Sequence, residues 1–198
     1  MIIVGLTGSL AMGKTETAKM FAALGVPVFD SDAEVHRLYA KDGEAVSLIE
    51  REFPTAVIGG TVDRATLSSI VTSEPRALAR LESLVHPLVE KARARFIDES
   101  RRKKEKLIIL DMPLLFETGL DRSVDRVIVV TAPAEVQRQR AMARKGMTVN
   151  KLETILARQL PDSEKRARAD FVVDTSRGFA EAAAQVRRIV AQLNSEAG

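Results

Sequence analysis

The chain has 198 residues, of which 45% are hydrophobic, enough to bury one sizeable core with room for a small inserted subdomain. Lysine and arginine total 30 against 27 aspartate and glutamate residues; the net charge of +3 is too small for a nucleic-acid signature but suits a polyanionic small molecule. The absence of cysteine excludes disulfides, thiolate catalysis and cysteine-ligated zinc, and two histidines are too few for a histidine-rich metal site.

Targeting and membrane segments are not expected. No apolar run approaches the ~20 residues that a membrane span requires. The apolar N-terminus lacks the basic region of a signal peptide, and a lysine follows it closely. We therefore expect a soluble cytoplasmic protein with neither a membrane nor a nucleic-acid partner.

The N-terminal stretch predicts a phosphate-binding loop. The apolar run Ile2–Leu6 is typical of a buried strand, Gly8-x-x-x-x-Gly13-Lys14-Thr15 follows it, and a helical pattern comes next. The glycines free the backbone, so that N–H groups and the helix N-terminus point at a phosphate. Lys14 adds a cation for the β- and γ-phosphates, and the Thr15 hydroxyl can ligate Mg²⁺. A simple glycine turn is the alternative. Contacts with a nucleoside triphosphate are expected from Gly8, Ala11, Met12, Gly13, Lys14, Thr15 and Glu16.

A second short strand follows the first predicted helix. Residues 26–29 form an apolar run that ends at Asp30. Ser31 or Asp32 is expected to cap the helix that begins there, since both have the short oxygen-bearing side chains that caps require.

The next part of the chain, up to about Lys106, has a helical pattern throughout. Gly59–Gly60 breaks the pattern in the middle, and Pro87 is expected to interrupt a long helix because it biases His86 away from helical backbone angles. No strand is expected here. We interpret this part as a helical insertion between the second and third strands.

Three further apolar runs complete the predicted sheet. Near-continuous apolar strands separated by helices are typical of a parallel sheet with helices on both faces. Ligands then bind at the carboxyl ends of the strands, where Gly8, Asp30, Asp111 and Thr131 lie. The remaining strands are expected at 107–111, 126–131 and 170–174, and the remaining helices at 134–144, 149–160 and 179–193.

Nucleotide binding alone does not define a reaction. A GTPase requires Asn-Lys-x-Asp directly after a strand, whereas the nearest match, at residues 150–153, begins inside a helical pattern. Large motor or transporter ATPases need a longer chain. A small-molecule kinase fits the size, and the remaining motifs supply an acid near the γ-phosphate, an inserted acceptor domain and an arginine-rich lid.

Several short motifs run in order along nearly the whole chain. They are Gly5-Leu6-Thr7-Gly8 with the P-loop, Asp30-Ser31-Asp32 with Arg37, His86-Pro87-Leu88-Val89, Asp111-x-Pro113-Leu114-Leu115-Phe116-Glu117, and Arg158-Gln159 ahead of Ala169-Asp170. This set resembles the dephospho-coenzyme A kinase family. The resemblance implies ATP-dependent phosphorylation of the ribose 3′-hydroxyl of dephospho-CoA, giving CoA and ADP in the last step of CoA biosynthesis.

The resemblance also implies an α/β P-loop fold of the adenylate-kinase type with an inserted helical domain. The sequence departs from the family pattern at Ser9, Ala11 and Met12, where many relatives are richer in glycine, and at Ser31, where alanine is commoner. None of these changes removes a side chain that the chemistry needs. The implied parts are a nucleotide-binding core (1–31, 106–139 and 168–198), a CoA-substrate domain (32–105) and a mobile helical lid (140–167).

Asp32 is the expected catalytic carboxylate. At the mouth of the second strand, a base can orient and accept the proton of an attacking hydroxyl; a role as helix cap is the alternative. Asp30 is expected to hold a water or a metal near Thr15. Arg37, just over one turn beyond Asp32, resembles a family position that faces the substrate, with a solvated surface arginine as the alternative.

Two further motifs are expected to contact the acceptor. His86 would contact the CoA moiety, or His86–Pro87 only marks a kink between helices. An apolar shelf after the third strand would hold the pantetheine arm or the adenine, or its side chains only fill the core. Asp111 is a candidate acid in the outer shell of magnesium. The shelf consists of Pro113, Leu114, Leu115 and Phe116.

Arginines of the predicted lid are expected to stabilise the transferring phosphoryl group. Arg140 and Arg144 are four residues apart, which places them on one face of the predicted helix. Guanidinium groups lower the barrier of phosphoryl transfer because charge develops on the equatorial oxygens. With Arg158 they form the candidate set, Arg140 serving catalysis and Arg144 the nucleotide. The other basic residues here are expected to be solvated: Arg138, Lys145, Lys165, Arg166 and Arg168.

Two other functions stay open. A nucleoside or nucleotide kinase would share the P-loop but lack the motifs at 86–87 and 113–117. A non-catalytic switch would change shape on binding ATP without transferring a phosphoryl group. The chain is expected to be a monomer or a weak homo-oligomer.

Overall fold

The computed structural model describes residues 1–196, in which strands and helices alternate along most of the chain. The strands are β1 (Ile2–Thr7), β2 (Val28–Asp30), β3 (Val57–Ile58), β4 (Thr61–Val62), β5 (Leu107–Asp111), β6 (Arg126–Thr131) and β7 (Phe171–Asp174). The helices are α1 (Lys14–Ala23), α2 (Ser31–Tyr39), α3 (Val46–Glu52), α4 (Arg64–Ser73), α5 (Ala77–Arg102), α6 (Ala134–Met142), α7 (Val149–Leu156), α8 (Asp162–Ala167) and α9 (Phe179–Glu196).

The main sheet has five strands in the order β2-β5-β1-β6-β7. The central strand β1 pairs in parallel with β5 on one side and with β6 on the other, and β7 pairs in parallel with β6. All five residues of β5 are buried, as a strand covered on both faces requires. The predicted parallel α/β sheet is confirmed, and its central strand leads directly into the P-loop.

Helices α1 and α9 pack together beside this sheet. Phe21 of α1 and Val186 of α9 are fully buried in one apolar cluster with Leu6 and Ile128 of the sheet. Burying a side chain of this size contributes about 2 kcal/mol, so several such residues hold α1 firmly against the strands. The loop between β1 and α1 is therefore anchored at both ends.

The chain divides into two compact units. The sheet unit contains residues 1–29 and the chain from Ser100 onward, and the helical unit contains residues 30–99. The helical unit has its own apolar core, in which Leu38, Ile49 and Phe53 are almost completely buried. Residues 140–167 belong to the sheet unit, and their behaviour as a separate lid stays a prediction.

The helical unit also contains a small antiparallel hairpin, which the sequence did not predict. Strands β3 and β4 are joined by Gly59 and Gly60, which have φ values of 60° and 76°. Two successive residues with positive φ form the tight turn that suits hairpin twist, and glycine adopts it without steric cost. The expectation of no strand was wrong because strands of two residues leave no detectable periodicity.

Helix α5 runs without interruption through Pro87. The predicted break was wrong, although a proline inside a helix removes one backbone hydrogen bond. The helix is 26 residues long, and Leu84, Val85 and Leu88 around the proline pack against the core of the helical unit. This burial offsets the local loss and keeps the helix continuous.

The chain between β6 and β7 contains three short helices instead of two longer ones. α6 and α7 end at Met142 and Leu156, before the predicted ends at 144 and 160, and a third helix, α8, forms where only a basic patch was expected. Pro161 lies at the N-cap of α8, where its missing N–H costs little, so the chain restarts a helix there.

Within residues 1–196, no helix is both long and apolar enough to cross a membrane.

Candidate active site

The N-terminus of α1 is built to receive an anion. Its N-cap, Gly13, has a φ of 95°, and within residues 1–196 no side chain caps this end of the helix. The first four N–H groups of a helix have no partner inside it, and the helix dipole adds positive potential there. Because no side-chain oxygen accepts hydrogen bonds from these N–H groups, a phosphate can accept them instead.

Glycine is required at both fixed positions of the P-loop. A Cβ on Gly8 would lie 2.6 Å from the backbone oxygen of Val130 in β6, so only glycine lets the loop pass this close to the strand. A Cβ on Gly13 would lie 3.1 Å from Thr175, and its φ is one that other residues rarely adopt. Between them, the sulfur of Met12 accepts a hydrogen bond from the N–H of Ala132 at 3.1 Å. The loop thus has a defined shape.

Lys14 forms an ion pair with Asp111, the last residue of β5. The Asp111 side chain is only 3% exposed and lies beside the loop because β5 neighbours β1. A buried carboxylate requires such a partner, since an unpaired charge is costly to bury. Asp111 thus pairs with the P-loop lysine, and its place in the outer shell of magnesium stays a prediction.

Arg140 is held beside the loop by Thr175. Its Nη1 donates to the Thr175 hydroxyl at 2.7 Å and its Nη2 to the Thr175 backbone oxygen at 2.8 Å. The same hydroxyl donates to the backbone oxygen of Met12 at 2.8 Å. One threonine therefore couples the predicted catalytic arginine to the P-loop. Thr175 was not predicted from the sequence, although its position directly after the last strand of the sheet could have indicated it.

The other predicted lid arginines are exposed. Arg144 lies in the turn after α6, because that helix ends at Met142, and so the predicted shared helical face with Arg140 was wrong. Arg158 follows α7 and is also exposed. Both guanidinium groups are open to an incoming anion.

A cavity of about 500 Å³ opens between the P-loop and α8. On its wall the Thr131 hydroxyl donates to Asp162 at 2.8 Å, and Arg166 pairs with the same carboxylate at 2.9 Å. Burial raises the pKa of the Asp174 carboxyl, but hydrogen bonds from Ser176 outweigh it and keep the pKa below its usual range. Only Met12 and Thr131 of this wall were predicted from the sequence to face a ligand. The cavity is lined by Met12, Thr131, Ala132, Pro133, Ala134, Gln137, Asp162, Ser163, Arg166 and Asp174.

The predicted apolar shelf is only partly accessible. Leu115 is fully buried and Phe116 is 7% exposed, whereas Leu114 is 44% exposed. Pro113 is half-buried, and its backbone oxygen accepts a hydrogen bond from the Thr7 hydroxyl at 3.1 Å. Of the four side chains, Leu114 is thus the most available to a ligand, while Leu115 fills the core.

Lys165 is buried, so the expectation that it is solvated was wrong. Its side chain is fully inaccessible, and its Nζ lies 2.8 Å from Glu117 Oε1. This contact is an ion pair outside hydrogen-bond alignment. The Glu117 carboxylate also accepts a hydrogen bond from the Leu160 N–H at 2.8 Å, and Arg168 lies over the Phe116 ring at 4.4 Å. The turn after β5 and the segment carrying α8 are therefore clamped together.

Replacing Glu117 by glutamine is expected to lower the free energy of unfolding by about 2 kcal/mol at neutral pH, since Lys165 then stays buried without a counter-charge. Burial raises the pKa of Glu117, but the Lys165 ammonium and the Leu160 N–H outweigh it and hold the pKa below its usual range. A depressed folded pKa gives stability that is complete above the unfolded value and is lost as the pH falls through the folded value. The parent and Glu117→Gln should therefore converge in acid.

Urea unfolding at neutral pH and at about pH 3 measures this convergence. Glu164→Gln, at an exposed position of the same helix α8, is the control and should match the parent at both values. A Glu117→Gln deficit of the same size at both pH values would show that the charge of Glu117 is not responsible.

In the helical unit, Asp30 and not Ser31 or Asp32 caps α2. The Asp30 carboxylate accepts a hydrogen bond from the Ala33 N–H at 2.9 Å, so the predicted cap was wrong. Asp32 lies in the first turn of α2 and is exposed. Its carboxylate is thereby left available for chemistry.

The other predicted substrate residues of the helical unit are also exposed. Arg37 is 57% exposed at its side chain and pairs with Glu34 at 2.6 Å. His86 is exposed within α5, which continues as one helix through His86 and Pro87. In the sheet unit, Thr15 and Glu16 are exposed at the start of α1, and Glu16 pairs with Lys19 at 2.7 Å.

Comparison with known proteins identifies the family of this chain. A family model described as dephospho-CoA kinase matches residues 2–181. The chain belongs to the dephospho-CoA kinase family. The dephospho-CoA kinase of Mesorhizobium japonicum is 53% identical over 198 residues, covering 100% of both chains. This confirms the sequence-based prediction of a dephospho-CoA kinase.

Solved structures support the same fold. TT1252 from Thermus thermophilus has a TM-score of 0.81 and 35% identity, with 96% of each chain covered. The dephospho-CoA kinase from Campylobacter jejuni has a TM-score of 0.66 at 22% identity, with 96% of each chain covered, which shows a shared fold. In this dephospho-CoA kinase family member the P-loop, Asp111 and Arg140 come together in the sheet unit, and Asp32, Arg37 and His86 lie in the helical unit.

Proposed function

We propose that the chain transfers the γ-phosphoryl group of ATP to the ribose 3′-hydroxyl of dephospho-CoA, giving CoA and ADP. The observation that carries this proposal is the uncapped N-terminus of α1, flanked by the paired Lys14 and by Arg140. Backbone N–H groups and these two cations would bind the triphosphate. Family membership supports dephospho-CoA as the acceptor.

Magnesium fits this site as a partner of the nucleotide. Mg²⁺ keeps several waters and uses one or two protein oxygens together with substrate phosphates. The exposed Thr15 hydroxyl can supply one such oxygen, and the part of the chain that the structure describes contains no cluster of three acids or histidines for an all-protein site. When bound, the ion would neutralise charge on the phosphates.

The proposal gives each remaining residue one task. Asp32 would accept the proton of the attacking hydroxyl, since its carboxylate is exposed and is not the cap of α2. Arg140 uses two N–H groups on Thr175, and a guanidinium has five, so others can bind the transferring phosphoryl group. Arg144 would bind the nucleotide phosphates, because it is exposed beyond the end of α6.

The acceptor would be bound by the remaining predicted residues. Arg37 and His86 are both exposed in the helical unit, and a guanidinium and an imidazole suit the phosphates of dephospho-CoA. Pro113 and Leu114 would support its apolar arm. A cytoplasmic location and a monomeric or weakly oligomeric state stay predictions.

ADP release by the purified protein with ATP and Mg²⁺ tests this function. Dephospho-CoA, nucleoside monophosphates, pantothenate and no acceptor are compared, and CoA is identified as the product. We expect release only with dephospho-CoA. Release only with a nucleoside monophosphate would overturn the acceptor, and no release with any acceptor would overturn the reaction.

A further inference from the structure

Two glutamine side chains hold the backbone of one P-loop residue, Leu10. Gln137 Nε2 donates to the Leu10 backbone oxygen at 2.8 Å, and the Leu10 N–H donates to Gln159 Oε1 at 3.1 Å. Gln137 is a buried residue of α6, and Gln159 is half-buried after the end of α7. Both polar groups of Leu10 are therefore satisfied from outside the loop.

Apolar contacts strengthen the same junction. Ala11 is buried in a small cluster with Ala141 and Leu152, so side chains of α6 and α7 pack directly against the loop. Leu10 lies partly buried against this cluster. The predicted lid segment therefore packs against the tip of the P-loop.

The conformation of this tip needs outside support. Ala11 has a φ of 63°, in the left-handed region that residues with a Cβ disfavour. Such a conformation persists only when the surroundings hold it in place. The two hydrogen bonds to Leu10 and the packing of Ala11 are contacts of that kind, on adjacent residues.

We propose that Gln159, together with Gln137, is a positioning residue for the P-loop. The two side chains fix the Leu10 peptide groups, and thereby hold the following N–H groups in the arrangement that receives the ATP phosphates. Neither glutamine contacts the reacting atoms in this proposal. The inference rests on the proposed role of the P-loop in binding ATP, and it gives Gln159 of the Arg158-Gln159 motif a physical task.

Three variants test the proposal. Gln159→Met keeps the size of the side chain and removes the acceptor. Gln159→Glu keeps an acceptor for the Leu10 N–H, whereas Gln137→Glu replaces the donor by a carboxylate that faces the Leu10 oxygen. The two glutamate variants add the same charge beside the same residue, and only Gln159→Glu keeps the hydrogen bond to Leu10. Gln137 is buried and Gln159 is half-buried, so urea unfolding is used to check that both variants are folded.

We expect Gln159→Met and Gln137→Glu to raise the KM for ATP about tenfold and to lower kcat, as the loss of a positioned hydrogen bond predicts. The KM for dephospho-CoA should stay at the parent value in both. Hydrogen exchange of the Leu10 amide, followed by NMR, should accelerate in Gln159→Met. Gln159→Glu should restore both the slow exchange and most of the ATP affinity.

Parent-like ATP kinetics in Gln159→Met would overturn the proposal, and so would Gln159→Glu being as impaired as Gln159→Met. An inactive parent protein would instead refute the proposed function. In that case, calorimetric ATP binding and Leu10 amide exchange of the three variants still decide the role of the glutamines.

Discussion

The Asp32→Asn variant is expected to bind ATP as the parent does while its turnover falls by about 10²- to 10⁴-fold, the usual contribution of a general base. Asparagine has the same shape as aspartate but cannot accept the proton of the ribose hydroxyl. The P-loop, which belongs to the sheet unit, is untouched by the substitution. Calorimetry with ATP and dephospho-CoA-dependent ADP release measure the two effects separately.

The structure indicates that Asp32→Asn removes the carboxylate charge without removing the cap of α2. Because Asp30 caps α2, the loss of charge at Asp32 does not remove the cap of the helix. Asp63→Asn is the matched control in the same unit: Asp63 caps α4 through the Thr66 N–H at 2.7 Å, and asparagine caps as well as aspartate does. The control should turn over normally. Normal turnover in Asp32→Asn itself would refute the assignment of the base.

The strands were predictable because the sheet is covered on both faces. A strand in that position is a continuous apolar run, and the predicted strands 107–111 and 126–131 have the same bounds as β5 and β6. The P-loop was predictable for a different reason. Its glycines are required by a close approach to β6 and by a positive φ, so the residue types record the local geometry directly.

The choice of cap and the ends of the helices were harder to predict. Asp30, Ser31 and Asp32 all have side chains that can cap, and only the position of the first helical residue decides among them. Pro87 has a strong local preference against a helix interior, which the packing of α5 overrides. Local patterns contain the preference but not the tertiary contact that outweighs it.

Side-chain partners from distant parts of the chain were not predictable at all. Lys165 lies in a run of basic residues that is typical of a solvated surface. Nothing local indicates that its side chain is buried and pairs with Glu117. The link from Arg140 to the P-loop likewise depends on Thr175, which directly follows β7 and is remote from the P-loop in the sequence. Such pairs form because the fold brings remote segments together.

Replacing Lys14 by alanine is expected to weaken ATP binding and abolish phosphoryl transfer together. The same ammonium is proposed to bind the phosphates before reaction and while charge develops on them, so no step is spared. A second effect follows from the structure. The substitution removes the ammonium that pairs with the buried Asp111 carboxylate, which should lower the free energy of unfolding by about 3 kcal/mol. ATP calorimetry and urea unfolding measure the two losses.

The double variant Lys14→Ala with Asp111→Asn separates binding from stability. Asp111→Asn removes the buried negative charge that Lys14 balanced, so we expect most of the lost stability to return. ATP binding and transfer should stay absent, because the ammonium is still missing from the P-loop. If the double variant regained ATP affinity together with stability, Lys14→Ala would be shown to act by unfolding the site. Unchanged ATP binding in Lys14→Ala alone would contradict the proposed P-loop geometry. Together these results would separate the proposed role of Asp111, which is to orient the lysine, from the proposed role of Lys14, which is to bind the nucleotide.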